Sequence, residues 1–368
     1  MNFKINRKDF IDALTVGGMM ANKAKTAPIL ENAKLTISNN TLMVQSLNLE
    51  CSISKLTQVQ SHDEDFEFLI DASNLLKVLK TLADIDIEAS FANSILIVKH
   101  AKGVMEFPCL NTNNFPSMAR GVGNEKFVND IPCGCLYDLL SVGRNFVVED
   151  ALRPTLSGLN VFLKHDAMGV CATDAHKLYR DVFSVDYRGD DFSVIMPINA
   201  VGPLMSIITD SPTVNMFVDE KNITFTTSDS SLTCKMVEGN YPNVDAIIPK
   251  ESPITVKVGT NDLADTVRRV SMFANKTTSL IKLNIVGDKV SVNGTDIDFA
   301  KKAVETLDIA HSGDDLEIGV KADYFNVCLS TIQSEQVSIC LRDQYRALIL
   351  NDESRPDKTI LLMPMVVN

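Results

Sequence analysis

The stretch RPTLSGLNVFL, residues 153–163, has a counterpart in APILENAKLTI, residues 27–37, and the spacing between them decides the fold. Leu156 follows Leu30 by 126 positions, as Met196 in VIMPINAVGPLM follows Ile70 in FLIDASNLLKVL and Tyr241 in GNYPNV follows Phe115 in NNFPSM. From Leu30 to Phe115 is 85 residues and from Leu156 to Tyr241 is 85 again, so two stretches keep one register with no net insertion. That is an internal repeat, and it governs how any motif inside it is interpreted. A looser third copy places Leu280 of SLIKLNIVGDKVSVNGTDIDFA 124 positions after Leu156, then aligns LEIGVKADYFNVCLSTIQ with FSVIMPINAVGPLMSIIT. Boundaries fall near the linker marked by Pro249 and Pro253 and one repeat length earlier, which gives domains at 1–125, 126–250 and 251–368.

Each copy has the same coarse order. A first amphipathic helix is expected at about 7–21, 133–147 and 260–275, and a second at 72–83, 198–209 and 322–333. Between and after them run segments of period-two alternation such as AKLTISNNTLMVQSLNLECSIS, where Asn39-Asn40 suits a two-residue hairpin turn. The fold class is therefore α+β, with two helices and antiparallel sheets in each of three repeated domains.

Composition limits the function. Hydrophobic residues at 45% and charged residues at 22% describe a folded chain, long enough at 368 residues for two or three domains. No apolar run approaches the ~18 residues of a membrane span, and NFKINRKDF after Met1 lacks the apolar core of a secretory signal, so a cytoplasmic protein with no membrane partner is expected. The eight cysteines show no CxxC and read as reduced thiols; Cys133 and Cys135 have no nearby partner ligands, and the five histidines are scattered. No metal and no cofactor is expected. Thirty-five bases against 47 acids leave a net charge of −12, which opposes binding DNA by adhesion to phosphates, although a local basic stripe is compatible with it.

ATDAHKLYR, residues 172–180, sets Asp174 two positions before His176, an arrangement that could serve acid–base chemistry. The repeat argues otherwise. The same position holds Leu47-Asn48 in the first copy and Thr295-Asp296 in the third, so the polar pair reads as a turn cap on a strand. No GxSxG or GxxxxGK[ST] occurs, and GVGNEK at 121–126 falls in a linker. No catalytic residue is assigned. A hydrolase using Asp174 and His176, or a β-rich repeat protein that binds other proteins without DNA, are the competing readings.

APIL at 27–30, RPTLSGLNVF at 153–162, ATDAHKL at 172–178, EGNYPNVDAIIP at 238–249 and LLMPM at 361–365 together resemble the bacterial β sliding clamps, processivity factors of the replicative DNA polymerase. The resemblance runs in order along nearly the whole chain. It implies a DNA clamp fold, closed as a head-to-tail homodimer into a ring around duplex DNA that is bound without regard to sequence. The replicative polymerase, the clamp loader and repair proteins would be partners, docking short peptides into a hydrophobic pocket. Matching positions for that pocket are Leu156, Thr173, Ala175, His176, Lys177, Leu178, Pro242, Ile247, Ala347, Leu361, Met363, Pro364 and Met365. Burying ~300 Å² of apolar peptide at ~25 cal/mol/Å² gives about 7 kcal/mol before ordering costs, hence micromolar affinity.

Encirclement also answers the charge problem, since retention by topology needs only a weakly attractive bore. Candidate DNA-facing residues are Lys23, Lys25, Lys77, Lys80, Arg144, Arg153 and Arg268, with Arg7, Lys8 and Arg269 beside them. The chain departs from the family pattern in three places. The second helix of the middle copy carries no base, Pro154 and Thr155 replace aromatic residues seen in some members, and Val366 stands where a cation is common. Met105, Phe107, Met272 and Phe273 match positions of the subunit contact, where paired apolar residues would form a small core.

Overall fold

The computed structural model of the chain describes residues 1–21, 27–61, 64–100, 103–118, 125–249 and 251–367. It divides into two compact units, Met1–Tyr137 with Asn199–Met236, and Asp138–Ile198 with Val237–Asn368. The division cuts through the middle repeat because strands of different repeats pair in common sheets.

In the first unit, a five-stranded sheet runs Gln60–Ser61, Asn2–Asn6, Asp86–Ala92, Ile95–His100, Gly103–Pro108. An eight-stranded sheet runs Lys126–Pro132, Thr213–Val218, Asn222–Thr226, Ser230–Lys235, Cys51–Gln58, Thr41–Leu47, Ala33–Ser38, Phe66–Ile70. Alternation builds these strands: Ala33, Leu35 and Ile37 are buried while Lys34, Thr36 and Ser38 are not. The hairpin closes at Asn39 and Asn40, both at positive φ (48° and 59°), as a two-residue loop of that hand requires. Helices α1 (Arg7–Gly17) and α2 (Ala72–Thr81) set Phe10, Leu14, Leu75 and Leu79 into one core with the strands. Helix α1 ends four residues before the expected 21, where Gly17 passes so close to the strand Thr41–Leu47 that a Cβ would lie 2.3 Å from the Val44 carbonyl oxygen.

Helix α3 (Cys133–Gly143) passes into a 3₁₀ turn at Arg144–Phe146. Helix α4 spans Ile198–Ile208, within one residue of its expected end.

The second unit holds a nine-stranded sheet in the order Phe192–Pro197, Gly158–Lys164, Ala167–Thr173, Lys177–Ser184, Thr359–Leu362, Leu348–Asp352, Gln336–Leu341, Ile254–Gly259, Ala310–Ser312. A four-stranded sheet runs Lys301–Asp308, Lys289–Asp296, Leu280–Val286, Leu316–Lys321. Helices α5 (Thr260–Ser271) and α6 (Ala322–Leu329) pack together.

One pairing rule recurs. Cys51–Gln58 of the first copy pairs with Ser230–Lys235, a late strand of the second; Lys177–Ser184, the second copy's equivalent of Cys51–Gln58, pairs with Thr359–Leu362 at the end of the third. The third copy's equivalent, Lys301–Asp308, lies at the edge of its sheet with no second partner strand among the described residues, as does Gly103–Pro108, the first copy's equivalent of Ser230–Lys235. Along Gly103–Pro108, Phe107 does not face outward as the subunit-contact reading required: it is 6% exposed in the core, and Met105 packs partly buried on that core. The side chains leaning outward are Val104 and Glu106, because residues two apart share a face. Met272 and Phe273, just beyond α5, are exposed.

Candidate functional site: an apolar groove in the second unit

The opening acid of ATDAHK is consumed by a turn. Asp174 accepts from the backbone N–H groups of His176 and Lys177, both at 2.9 Å, through Oδ1, while Oδ2 meets the Lys177 ammonium at 2.6 Å. Both side chains are buried, and the ammonium lies over the rings of Tyr324 and Phe146. Asn48 does the same in the first copy, accepting from Glu50 and Cys51 at 2.8 and 2.7 Å, and Asp296 accepts from Asp298 at 3.2 Å in the third. The position has one task in every copy. It caps the hairpin turn, and an acid so engaged is not a general base.

What the middle copy's turn adds is shape. Ala175 sits at φ 74°, and the Thr173 hydroxyl accepts from its N–H at 3.1 Å while donating to the Lys177 carbonyl at 2.7 Å. Thr173 and Ala175 thereby become one wall of a groove of about 640 Å³. Leu156 contributes from the 3₁₀ turn Pro154–Leu156, Pro242 and Ile247 from the segment around Val244–Ala246, Ala347 from just before the strand Leu348–Asp352 and Met363 from just after the strand Thr359–Leu362. The floor is supported by a small core of Cys171, Leu178, Val244, Ala347 and Leu361, with Tyr241 and Ile248 packed on it. Arg180, paired to Asp245 at 2.8 Å, ties the Val244–Ala246 turn to the central sheet.

Seven of the thirteen expected pocket residues therefore line the groove: Leu156, Thr173, Ala175, Pro242, Ile247, Ala347 and Met363. The others take supporting places. Leu178 and Leu361 lie beneath the floor, Lys177 is buried in its ion pair, and exposed His176 stacks on Tyr324 with ring centroids 5.7 Å apart. The His176 carbonyl accepts from Met363 N–H at 2.8 Å and so fixes the C-terminal segment, while Met365 bonds Gly319 at 2.8 Å, carrying Pro364 and Met365 toward the strand Leu316–Lys321. Sequence reasoning missed Asn243, Val244, Ala246, Ile248 and Pro249 as lining, although they lie in or beside the motif it used, and missed Arg342, Tyr345 and Arg346 altogether. An exposed tyrosine between two arginines in LRDQYRA was the available signal.

Cys171 and Tyr241, beneath the floor, are not activated. Burial pushes the Cys171 thiol up to about 12 and the Tyr241 phenol above its ordinary range, so both stay protonated at neutral pH. On the rim, the backbone N–H of Tyr345 first, then that of Arg346 and its charge, hold Asp343 below the usual carboxylate range. Among the described residues, no group of three or more His, Cys, Asp or Glu could hold a metal ion, and no helix is long and apolar enough to cross a membrane.

The candidate DNA-facing residues differ in how engaged they are. Lys77 and Lys80 are exposed on α2, which carries no acid, and they make no ion pair among the described residues. Arg144 is exposed at the end of α3. Arg153 pairs with Asp150 at 2.7 Å, Arg268 with Asp265 at 3.2 Å, Arg269 with Glu305 at 2.6 Å and Lys8 with Asp84 at 2.5 Å. Arg7 reaches the Leu79 carbonyl at 3.4 Å. Lys23 and Lys25 lie outside the described residues.

A threefold α+β scaffold with a preformed apolar groove is suited to receive an apolar ligand, and comparison with known proteins gives its class. Three domain models of the DNA polymerase III beta subunit match the chain: the N-terminal domain over residues 1–119, the central domain over 144–243 and the C-terminal domain over 245–366. The beta sliding clamps of Haemophilus influenzae and Escherichia coli are each 22% identical, over 99% of this chain and 100% of theirs. The DNA polymerase III beta subunits of Pseudomonas aeruginosa (22% identical) and Thermotoga maritima (16%) each superpose over both full chains with a TM-score of 0.92. A Pseudomonas aeruginosa sliding clamp bound to griselimycin matches with a TM-score of 0.94, again at 22% identity over both chains. The chain belongs to the DNA polymerase III beta-subunit family, the bacterial β sliding clamps.

Proposed function

We propose that this chain is the sliding clamp of a replicative DNA polymerase. It tethers the enzyme to duplex DNA by encirclement and receives partner peptides in the groove of the second unit. The observation that carries this reading is the pair of sheet edges with no second partner strand among the described residues. In each internal junction the strand after the capped turn pairs with a late strand of the next copy. Applied between chains, the same rule joins Lys301–Asp308 of one copy to Gly103–Pro108 of another, a head-to-tail contact that repeats once more to close a dimer. Met272 and Phe273 on one side, with Val104 on the other, supply its apolar centre. The three repeats at 1–125, 126–250 and 251–368 are its domains, the cytoplasm is its compartment, and it works as a tether and not as a catalyst.

Within the ring, Lys77 and Lys80 make the first contacts with phosphates. Arg153 and Arg268 contribute less because a neighbouring carboxylate already shares their charge. Clamp loader, polymerase and repair proteins exchange on the groove, which adaptable Leu, Ile and Met side chains suit to several ligands.

Sedimentation should give a particle near twice the 40.4 kDa chain mass. Loaded on nicked circular DNA, the protein should co-elute with the circle and be released when the circle is linearised. Retention on free-ended DNA, or a dilution-stable monomer, would refute encirclement.

A further inference from the structure

The protein carries 47 acids and a net charge of −12, yet the described lining of its groove contains no Asp or Glu and two cations, Arg342 and Arg346. They flank Tyr345, which is 68% exposed and held at the rim by the N–H bond from Tyr345 to Asp343 at 2.9 Å. Their own ion pairs are loose: Arg342 stands 3.6 Å from Glu251 and Arg346 3.5 Å from Asp343, beyond the ~2.7–2.9 Å of a good charged hydrogen bond. Asp343 already spends Oδ1 on the backbone N–H groups of Tyr345 and Arg346. Both guanidinium groups thus keep donors for an incoming anion.

We infer that the rim selects its ligand by charge, and that the segment docking here bears acidic residues directly beside its apolar anchors. The inference deepens the peptide-binding reading above and rests on it. Apolar side chains fill the floor around Leu156 and Ile247, the Tyr345 ring covers the chain between anchor and flank, and the arginines meet the flanking carboxylates. Glu251 and Asp343 stand beside these arginines at 3.6 and 3.5 Å, so the rim attracts an acidic peptide through the donors the guanidinium groups keep free and not through a surplus of charge. Tyrosine and arginine are the residue types that dominate binding energy at protein contacts, and a planar guanidinium can take a carboxylate with two donors.

The test uses full-length protein and three fluorescein-labelled decapeptides with the same Leu-Leu-Phe centre, flanked by glutamate, serine or lysine. At low salt the glutamate peptide should bind about five- to tenfold tighter than the serine peptide, as two exposed ion pairs permit, and the lysine peptide more weakly than either. In Arg342→Gln/Arg346→Gln that ranking should collapse, with the glutamate and lysine peptides converging on the affinity the serine peptide shows in the same variant, and the far-ultraviolet circular dichroism unchanged. Equal affinities in the parent protein, or a ranking that survives the double substitution, would overturn the rim assignment and leave the groove standing. No binding by any peptide would remove both. If a short DNA duplex displaces the glutamate peptide and loses that capacity in the double variant, the rim belongs to nucleic acid and the inference fails.

Discussion

Asp174 offers the sharpest quantitative test, because its carboxylate does two separable things. Oδ1 holds the turn through two N–H bonds at 2.9 Å, and Oδ2 neutralises the buried Lys177 at 2.6 Å. Asp174→Ala removes both and leaves an ammonium 3% exposed with no counter-ion, a loss of about 3–5 kcal/mol for the broken pair and about 1 kcal/mol more for the turn. Asp174→Asn keeps the acceptor for the turn and loses the charge, so it should cost roughly 2–3 kcal/mol. Asp174→Asn with Lys177→Met removes the charge from both sides and should fall within about 1 kcal/mol of the parent. The first copy already contains that solution, with Asn48 capping its turn and Cys51 where the second copy has Lys177. Urea titrations followed by far-ultraviolet circular dichroism give the stabilities of the parent and the three variants, with peptide affinity measured alongside. Asp174→Ala should also lose peptide binding, because Thr173 and Ala175 wall the groove only while the turn is formed. Equal stabilities for all three variants, or a substrate turned over by the parent and not by stable Asp174→Asn, would refute the scaffold role.

Ile247, 52% exposed on the groove wall, can be replaced by Asp with little effect on unfolding, while peptide binding should fall at least tenfold, checked by anisotropy. Removing Met363–Asn368 should likewise abolish peptide binding with the fold intact by circular dichroism, since Met363 lines the groove beyond the last strand, Thr359–Leu362. At Asp352, burial opposes ionisation, but hydrogen bonds from Lys358, Ser354 and the Gln333 N–H prevail and hold the carboxyl well below its usual range. A depressed folded-state value means stability present in full above the ordinary carboxylate range and lost as pH falls from there through the folded value, so the melting-temperature gap between the parent and Asp352→Asn should be widest near neutrality and close in strong acid. Exposed Cys135 should react first with a thiol reagent at pH 8, and Cys135→Ser should remove that fast phase; Cys171, up at about 12 through burial, should stay unmodified until unfolding.

The repeat, the helices and the hairpins were legible because each rests on short-range rules. Period-two alternation at 33–38, the Asn39-Asn40 turn and the helical faces of Leu75 and Leu79 need no distant partner to be recognised. Helix ends were less so: α1 stops at Gly17 because a strand from residues 41–47 passes against it, a fact carried by neither segment alone.

By itself the sequence determined three copies of one α+β unit, a polar turn cap in place of an active site, and the family resemblance with about half of the groove's wall. Only the tertiary structure decided which residues of a motif face the groove and which support it. Leu178, Leu361 and Lys177 are adjacent in the motif to lining residues yet are buried: Leu178 and Leu361 pack into the core, and Lys177, on the opposite face of its strand from Leu178, is enclosed by Asp174, Phe146 and Tyr324. It alone turned Phe107 inward and brought Arg342, Tyr345 and Arg346 to a rim shared with residues about 100 to 190 positions away, because sheet pairing joins strands by geometry and not by order in the chain.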